Sequence, residues 1–112
     1  MYSIKMLPDA IKFIDTLEKK MKAKALKTID LLKEFGPYLR EPHSKKIKNV
    51  KNLFELRIQQ GNNIARIFYF HYKSKFYLLT SGFIKKKNKT DIKEIEKAEK
   101  IMKLYLEEKG NA

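Results

Sequence analysis

Cysteine and tryptophan are absent from this sequence of 112 residues, and glycine and proline are scarce, with four and three residues. The absence of cysteine excludes disulfide bonds, thiolate metal sites and a thiol nucleophile, and it is typical of proteins in a reducing cytoplasm. No apolar run approaches the length of a membrane span, and the first ten residues, MYSIKMLPDA, lack the long apolar segment of a secretory signal. We therefore expect a cytoplasmic protein that does not enter a membrane.

Acidic residues are scarce relative to basic ones. The sequence has 13 aspartates and glutamates but 26 lysines and arginines, which gives a formal net charge of +13. A hydrophobic content of 43%, with six tyrosines and seven phenylalanines, argues against disorder, so the charge predicts a polyanionic partner such as nucleic acid, the ribosome or an anionic membrane. Only Arg40, Arg57 and Arg66 are arginines, the residues that form bidentate contacts with phosphate.

Local patterns predict an α+β fold in one domain that spans residues 1–112. Residues 2–7 are predicted as a strand, and residues 9–35 carry apolar residues at the three- and four-residue spacing of helices. These form one long helix or, as we expect, a helical hairpin broken near Glu18–Met21, and Gly36-Pro37 ends it. The segment 37–51 is basic and has no period, so we interpret it as a connecting loop.

The second half of the chain is predicted to form an antiparallel meander followed by a helix. Turn residues separate three segments rich in β-branched and aromatic residues, at 53–59, 63–72 and 75–84. Thr90 or Asp91 is predicted to cap the final helix, with Glu94 three positions after Asp91 in the manner of a capping box. No internal repeats and no clusters with metal-ligand spacing occur in the sequence.

Two arginines are predicted to face each other within the meander. If Gly61-Asn62 forms a two-residue turn, strand pairing places Arg57 directly opposite Arg66. Like charges opposed across strands repel each other and destabilise the sheet. Either Glu55, on the same face of its strand as Arg57, neutralises one arginine while water solvates the other, or both guanidinium groups converge on a bound phosphate.

The second hairpin decides which residues lie beside this arginine pair. A two-residue turn at Lys73-Ser74 predicts that Ser81 lies opposite Arg66 and that Phe83 lies opposite Ile64. Because side chains alternate between the two faces of a sheet, one face then carries Arg57, Arg66, Ser81, Phe83 and Lys85. Toward its other end the same face carries Glu55, Phe68, Phe70, Tyr77 and Leu79. The opposite face is more apolar and is expected to carry the helices; it consists of Phe54, Leu56, Ile58, Ala65, Ile67, Tyr69, Phe76 and Leu78.

Three segments, in this order and at this spacing, carry a resemblance to a known family. They are LFELR at 53–57, RIFY at 66–69 and FIKKKNKTD at 83–91. In these segments the sequence resembles HigB-type toxins of the phage-derived branch of the RelE/ParE superfamily. It departs from the family pattern at Asp91, where the family commonly has proline, and both residues suit the start of a helix.

The resemblance implies a RelE-like fold with an N-terminal strand, a helical hairpin, an antiparallel sheet and a C-terminal helix. It implies the toxin of a type II toxin–antitoxin system, which cleaves messenger RNA on the ribosome without a metal or another cofactor. A small HigA-like antitoxin with a helix-turn-helix would silence it and would alone bind operator DNA. ParE-like members of the superfamily instead inhibit DNA gyrase, so the fold does not decide the target.

Cleavage of RNA by its own 2′-hydroxyl requires an oriented backbone, two proton transfers and stabilisation of negative charge. Arg57 and Arg66 are predicted to stabilise that charge, and Lys85 or Lys86 to transfer a proton, because neighbouring cations favour a neutral amine. Phe83 is predicted either to stack on a base or to pack at the end of the sheet.

Further basic residues are predicted to bind the RNA. They are Lys45, Lys46, Lys87, Lys89 and His43, and His43 would also carry protons if its loop folds over the arginine face. Lysines of the N-terminal helices, at positions 12, 19, 20, 22, 24, 27 and 33, either face the ribosome or form a solvated surface. Two alternatives to an endonuclease remain open. The first is a non-enzymatic inhibitor of gyrase or of the ribosome. The second is a protein that only binds, either a basic RNA- or ribosome-binding module or a degenerate toxin that binds its antitoxin.

Overall fold

In the part of the chain that the structure describes, five strands form one mixed sheet, and three helices cover its two faces. A computed structural model describes residues 1–86 and 91–110 of the chain. Its elements in chain order are β1 (Ser3–Met6), α1 (Pro8–Thr16), α2 (Lys19–Phe35), a 3-10 turn (Gly36–Tyr38), β2 (Ser44–Lys46), β3 (Phe54–Gln60), β4 (Asn63–Tyr72), β5 (Phe76–Lys85) and α3 (Ile92–Gly110). The strand order is β1-β5-β4-β3-β2, and only β1 and β5 run parallel. The predicted α+β architecture is confirmed.

The N-terminal segment forms the expected helical hairpin. Its two helices are separated only by Leu17 and Glu18, close to the predicted break, and α2 ends at Phe35 directly before Gly36. Leu17 is buried, so the connection is part of the core. Within the described residues no helix combines the length and the apolarity needed to cross a membrane.

The interpretation of residues 37–51 as a loop throughout is wrong, because Ser44–Lys46 forms the edge strand β2. It pairs antiparallel with β3 and places Ser44 opposite Leu56 and Lys46 opposite Phe54. Backbone hydrogen bonds hold such an edge strand, and its side chains show no apolar alternation that would reveal it in the sequence. Ser44 is its buried residue, and its hydroxyl shares a hydrogen bond with the Tyr69 hydroxyl.

Both faces of the sheet are covered by helices, whereas the sequence predicted that the helices share one face. The helices α1 and α2 pack on the expected apolar face, against Leu56, Ile58 and Ile67 among others. The helix α3 packs on the opposite face, the one that carries the arginines, where Ala98 and Met102 are buried. Its apolar stripe therefore has a sheet surface of its own, formed by residues such as Phe68, Phe70 and Leu78.

The second hairpin differs from its predicted register. Its loop holds three residues, Lys73 to Lys75, so that Tyr72 lies opposite Phe76. A bulge at Thr80 shifts the pairing by one further residue, and Phe83 consequently lies opposite Arg66, the place that was predicted for Ser81. Lys85 takes the place opposite Ile64 that was predicted for Phe83.

The two shifts have opposite consequences along β5. Each one-residue shift turns the side chains to the other face, so two shifts restore the predicted face for the end of the strand. Ser81, Phe83 and Lys85 therefore share the face of the arginines, as predicted. Between the two shifts the prediction is reversed: Tyr77 and Leu79 pack with α1 and α2, and Leu78 packs on the side of α3, while Phe76, paired with Tyr72, is also on that side.

Candidate anion-binding cleft

The pairing of Arg57 with Arg66 on β3 and β4 is confirmed. Between them lies Glu55, whose Oε2 accepts a hydrogen bond from Arg57 Nε at 3.0 Å and lies 3.6 Å from Arg66 Nε. The expectation that water solvates the second arginine is wrong, because Arg66 is only 8% exposed. One half-buried carboxylate is thus shared by two arginines.

The N–H donors of the Arg66 guanidinium group are only partly hydrogen-bonded. Its Nη1 donates a long hydrogen bond of 3.3 Å to the carbonyl of Ala65. Its Nε is buried and has no hydrogen-bond partner among residues 1–86 and 91–110. Burial lowers the pKa of Arg66, and the charge of Arg57 adds to this effect while the Glu55 carboxylate opposes it. An arginine remains protonated through such shifts. Arg66 is therefore a cation whose Nε donor lacks a hydrogen-bond acceptor.

A cleft of about 770 Å³ opens over the arginine pair, between the sheet and α3. We call it the first cleft. Its basic and aromatic wall is formed by Lys45, Lys46, Lys48, Arg57, Arg66, Phe83 and Lys85, with Glu55 among them. Its other wall belongs to the start of α3 and is formed by Asp91, Ile92, Ile95, Glu96 and Glu99.

Phe83 and Lys85 line the first cleft, whereas Lys86 does not. Phe83 stacks on Phe68, with ring centroids 5.6 Å apart, and it lines the first cleft opposite Arg66. It therefore packs at the end of the sheet and is also a lining residue of the cleft. Lys85 lines the same cleft and is half-buried, but Lys86 is exposed and does not line it.

The predicted RNA-binding residues are distributed over different parts of the surface. Lys45 and Lys46 line the first cleft, and Lys46 Nζ donates to the carbonyl of Val50 at 3.1 Å. His43 is exposed on another side of the arginines, and its carbonyl accepts a hydrogen bond of 2.8 Å from the Arg57 amide. The predicted residues Lys87 and Lys89, and Thr90 as a helix cap, lie outside the described residues.

Some residues of the first cleft were not singled out by the sequence. Lys48 follows the basic pair on β2, and the run KKIK at 45–48 was the available signal. Glu96 and Glu99 lie three positions apart, and this spacing places both on one side of α3. Their position became visible only because α3 packs on the arginine face. No cluster of three or more potential metal ligands occurs within the described parts of the chain.

The charges of this site favour an anion that binds beside Glu55. Two guanidinium groups and one carboxylate leave one positive charge uncompensated, and the nearby Glu41 carboxylate lies 3.8 Å from Arg57 but is largely exposed. Guanidinium groups bind phosphate oxygens through pairs of parallel N–H donors. The cleft can therefore orient a phosphodiester against Phe83 and Lys85 and stabilise additional charge on it.

Comparisons with known proteins agree with this architecture. The family model described as phage-derived protein Gp49-like (DUF891) matches residues 12–103. The isolated RelE toxin of E. coli is similar in structure, with a TM-score of 0.61 at 13% identity, over 86% of this chain and 95% of that chain.

Two further solved structures contain an antitoxin. The archaeal RelE–RelB complex from Pyrococcus horikoshii OT3 gives a TM-score of 0.53 at 21% identity, over 80% of this chain and 98% of that chain. The intact E. coli RelBE complex gives a TM-score of 0.59 at 14% identity, over 80% of this chain and 100% of that chain. The curated proteins gave no match. The fold is thus RelE-like.

Proposed function

Because the chain belongs to the Gp49-like family of phage-derived proteins, and because its fold is RelE-like, we propose that it is the toxin of a type II toxin–antitoxin pair. In this proposal it acts in the cytoplasm as a HigB-type, ribosome-dependent endonuclease that cleaves messenger RNA. The observation that supports this function most directly is the pair Arg57 and Arg66, which shares one carboxylate at the base of a cleft.

In the proposed reaction the RNA supplies its own nucleophile, and neither a metal ion nor another cofactor takes part. The 2′-hydroxyl attacks the adjacent phosphorus, the bond from phosphorus to the 5′-oxygen breaks, and the products are a 2′,3′-cyclic phosphate and a 5′-hydroxyl. A proton leaves the 2′-oxygen and a proton reaches the 5′-oxygen. Arg57 and Arg66 bind the oxygens of the phosphate and stabilise the charge that develops on them, because they are positioned before the substrate arrives.

Lys85 is our candidate for one of the two proton transfers. It lies on the same face as both arginines, lines the cleft and is half-buried. Phe83 is our candidate for contact with a base next to the cleaved bond, since stacking on an aromatic ring tolerates any base. Lys45 and Lys46 contribute positive charge along the path of the backbone.

A cognate antitoxin is the second part of the proposal. The E. coli and P. horikoshii relatives were solved in complex with RelB, which supports an antitoxin partner for this chain. We propose a small HigA-like protein with a helix-turn-helix, through which alone the pair would contact operator DNA. Coexpression of such a neighbouring reading frame is expected to relieve the growth arrest caused by this chain.

The proposal is tested by inducing the protein in bacteria and mapping the ends of their messages. We expect growth arrest and new message ends that carry a 2′,3′-cyclic phosphate. Arg57→Gln is expected to slow cleavage by about 100-fold or more, as for the loss of one preorganised donor to a developing charge. Growth arrest without new message ends would contradict the endonuclease and favour a gyrase inhibitor or a pure ribosome binder.

A further inference from the structure

A second cleft opens on the other side of the arginine pair. It has a volume of about 440 Å³ and lies between α2 and the segment that enters β2. Besides the arginines, its lining consists mainly of Lys24, Lys27, Thr28, Leu31, Pro42 and His43. Arg57 and Arg66 are among the lining residues of both clefts, so the two openings adjoin at the arginine pair.

The two clefts differ in their acidic residues. The first cleft contains Asp91, Glu55, Glu96 and Glu99 among its lining residues, whereas no acidic residue lines the second cleft within the described chain. A polyanion that crosses the arginine pair therefore meets both lysines and carboxylates on one side and, among the lining residues of the other side, only cations and neutral groups. Coulomb attraction between its phosphates and the protein is stronger on the acid-free side.

One of the two lysines in the second cleft is held in place by a hydrogen bond, and the other is free to bind a ligand. Lys24 Nζ donates a hydrogen bond of 3.0 Å to the carbonyl of Gln59, which fixes its ammonium group beside the sheet edge. Lys27 follows Lys24 by three residues on α2 and has no hydrogen bond or ion pair with any described residue. Arg66, which reaches this cleft too, is more than nine-tenths buried and keeps its unsatisfied Nε. A ligand with several anionic oxygens in this cleft would contact both lysines and lie beside the arginine pair.

We propose that the second cleft is a subsite for the RNA phosphates that flank the cleaved one. The substrate backbone then passes over Arg57 and Arg66 and continues along Lys24 and Lys27. This inference rests on the proposed function, because it takes RNA as the occupant. It assigns these two lysines of α2 to the substrate strand and leaves the other lysines of the N-terminal helices available for the ribosome.

The test compares oligonucleotides that contain one phosphodiester or several. A 2′-O-methyl dinucleotide and a 2′-O-methyl hexanucleotide resist cleavage through the 2′-oxygen, so the full chain can be titrated with each of them. The test variant is Lys24→Gln/Lys27→Gln. The matched control is Lys19→Gln/Lys20→Gln, which removes the same charge from the exposed first turn of the same helix.

We expect the test variant to bind the hexanucleotide about 5- to 20-fold more weakly than the unmodified protein at low salt, because it loses two phosphate contacts. The slope of log affinity against log salt should become shallower by about 1.4, since each contact with a single strand contributes about 0.7. Binding of the dinucleotide should change by less than about twofold, because its one phosphate occupies the arginine pair. The control variant should show neither effect.

Three results would overturn the subsite. They are equal losses in the test and control variants, an equal loss for both oligonucleotides, and a failure of the unmodified protein to bind the hexanucleotide more tightly than the dinucleotide. If the double variant proves less stable, Lys27→Gln alone decides, because Lys27 has no partner among the described residues; it should retain about half of the change in slope. Binding that follows these expectations without any message cleavage would overturn the endonuclease and leave the subsite standing.

Discussion

Glu55 and Arg57 lie two positions apart on β3 and are joined by a hydrogen bond of 3.0 Å from Arg57 Nε to Glu55 Oε2. The same carboxylate oxygen lies 3.6 Å from Arg66 Nε on the neighbouring strand. Glu55 therefore reduces the repulsion between two cations that strand pairing forces together, and it positions both. Arg66 Nη1 donates to the Ala65 carbonyl and Arg57 Nη1 lies 3.8 Å from Glu41, so a phosphate would bind the remaining guanidinium donors.

Replacement of Glu55 by glutamine is expected to destabilise the protein. The change leaves Arg57 and Arg66 opposed without a counter-charge, and we expect the free energy of unfolding to fall by about 2 kcal/mol, less than for a fully buried pair. Urea unfolding at neutral pH measures this. Glu41→Gln is the control, because its carboxylate is 63% exposed and 3.8 Å from Arg57, and it should cost less than about 0.5 kcal/mol.

Phosphate is expected to restore part of the stability that Glu55→Gln loses. An anion that binds the folded state stabilises it by mass action, and the variant offers two uncompensated guanidinium groups. The melting temperature of the variant should therefore rise more in phosphate than in chloride of equal ionic strength. The unmodified protein should show a smaller rise. Equal responses of both proteins would show that the Glu55 carboxylate does not weaken anion binding at the arginine pair.

Lys85 and Lys86 are expected to differ in their contribution to cleavage, although they are neighbours in the sequence. Lys85→Met should slow message cleavage by about 100-fold or more if its ammonium group transfers a proton. Lys86→Met should slow it by less than about threefold, because Lys86 is exposed and does not line the cleft. Cleavage rates in a translating extract provide the comparison. The reverse order would assign the proton transfer to Lys86.

Stability is expected to fall at alkaline pH because of Tyr69. Burial raises the pKa of Tyr69 to about 12, from an ordinary value of 10.0, an effect that Tyr77 reinforces and that the hydrogen bond with Ser44 opposes. A raised pKa means that the contribution of the neutral tyrosine is complete below pH 10 and is lost as the pH rises to about 12.

This loss is measured against Tyr69→Phe, which cannot titrate at this position. Between pH 9 and pH 12 the unmodified protein should lose on the order of 2 kcal/mol more than the variant, since lysine titration is common to both. At neutral pH the variant should be less stable by about 1 kcal/mol, because the buried Ser44 hydroxyl loses its partner. Parallel pH profiles would contradict the assignment to Tyr69.

Gly82→Ala is expected to loosen the packing of α1 on the sheet. A Cβ atom at Gly82 would collide with the ring of Phe13 and would lie 2.9 Å from the carbonyl oxygen of Arg66. We expect a loss of about 1 to 3 kcal/mol, as for other overpacked sites, measured by urea unfolding. Phe13→Leu should restore part of this loss in the double variant. If the two changes were additive, the collision with Phe13 would not be the cause.

The parts of the site that could be predicted from the sequence are those that depend on residues close together in the chain. The turn at Gly61-Asn62 and the alternation of side chains along a strand are local, and together they place Arg57 opposite Arg66. The same alternation places Glu55 beside Arg57. The second hairpin was less predictable, because one extra residue in its loop and one at Thr80 each moved the partners of β5.

The sequence by itself determined the helical hairpin, the three-stranded meander, the C-terminal helix, the basic charge and the pairing of the two arginines, because turn residues and side-chain periodicity act over a few positions. Only the tertiary structure decided that α3 covers the arginine face, that Ser44–Lys46 joins the sheet and that Lys24 of α2 lines a cleft together with both arginines. These relationships depend on packing and backbone hydrogen bonds between segments distant in the chain, which no local pattern encodes.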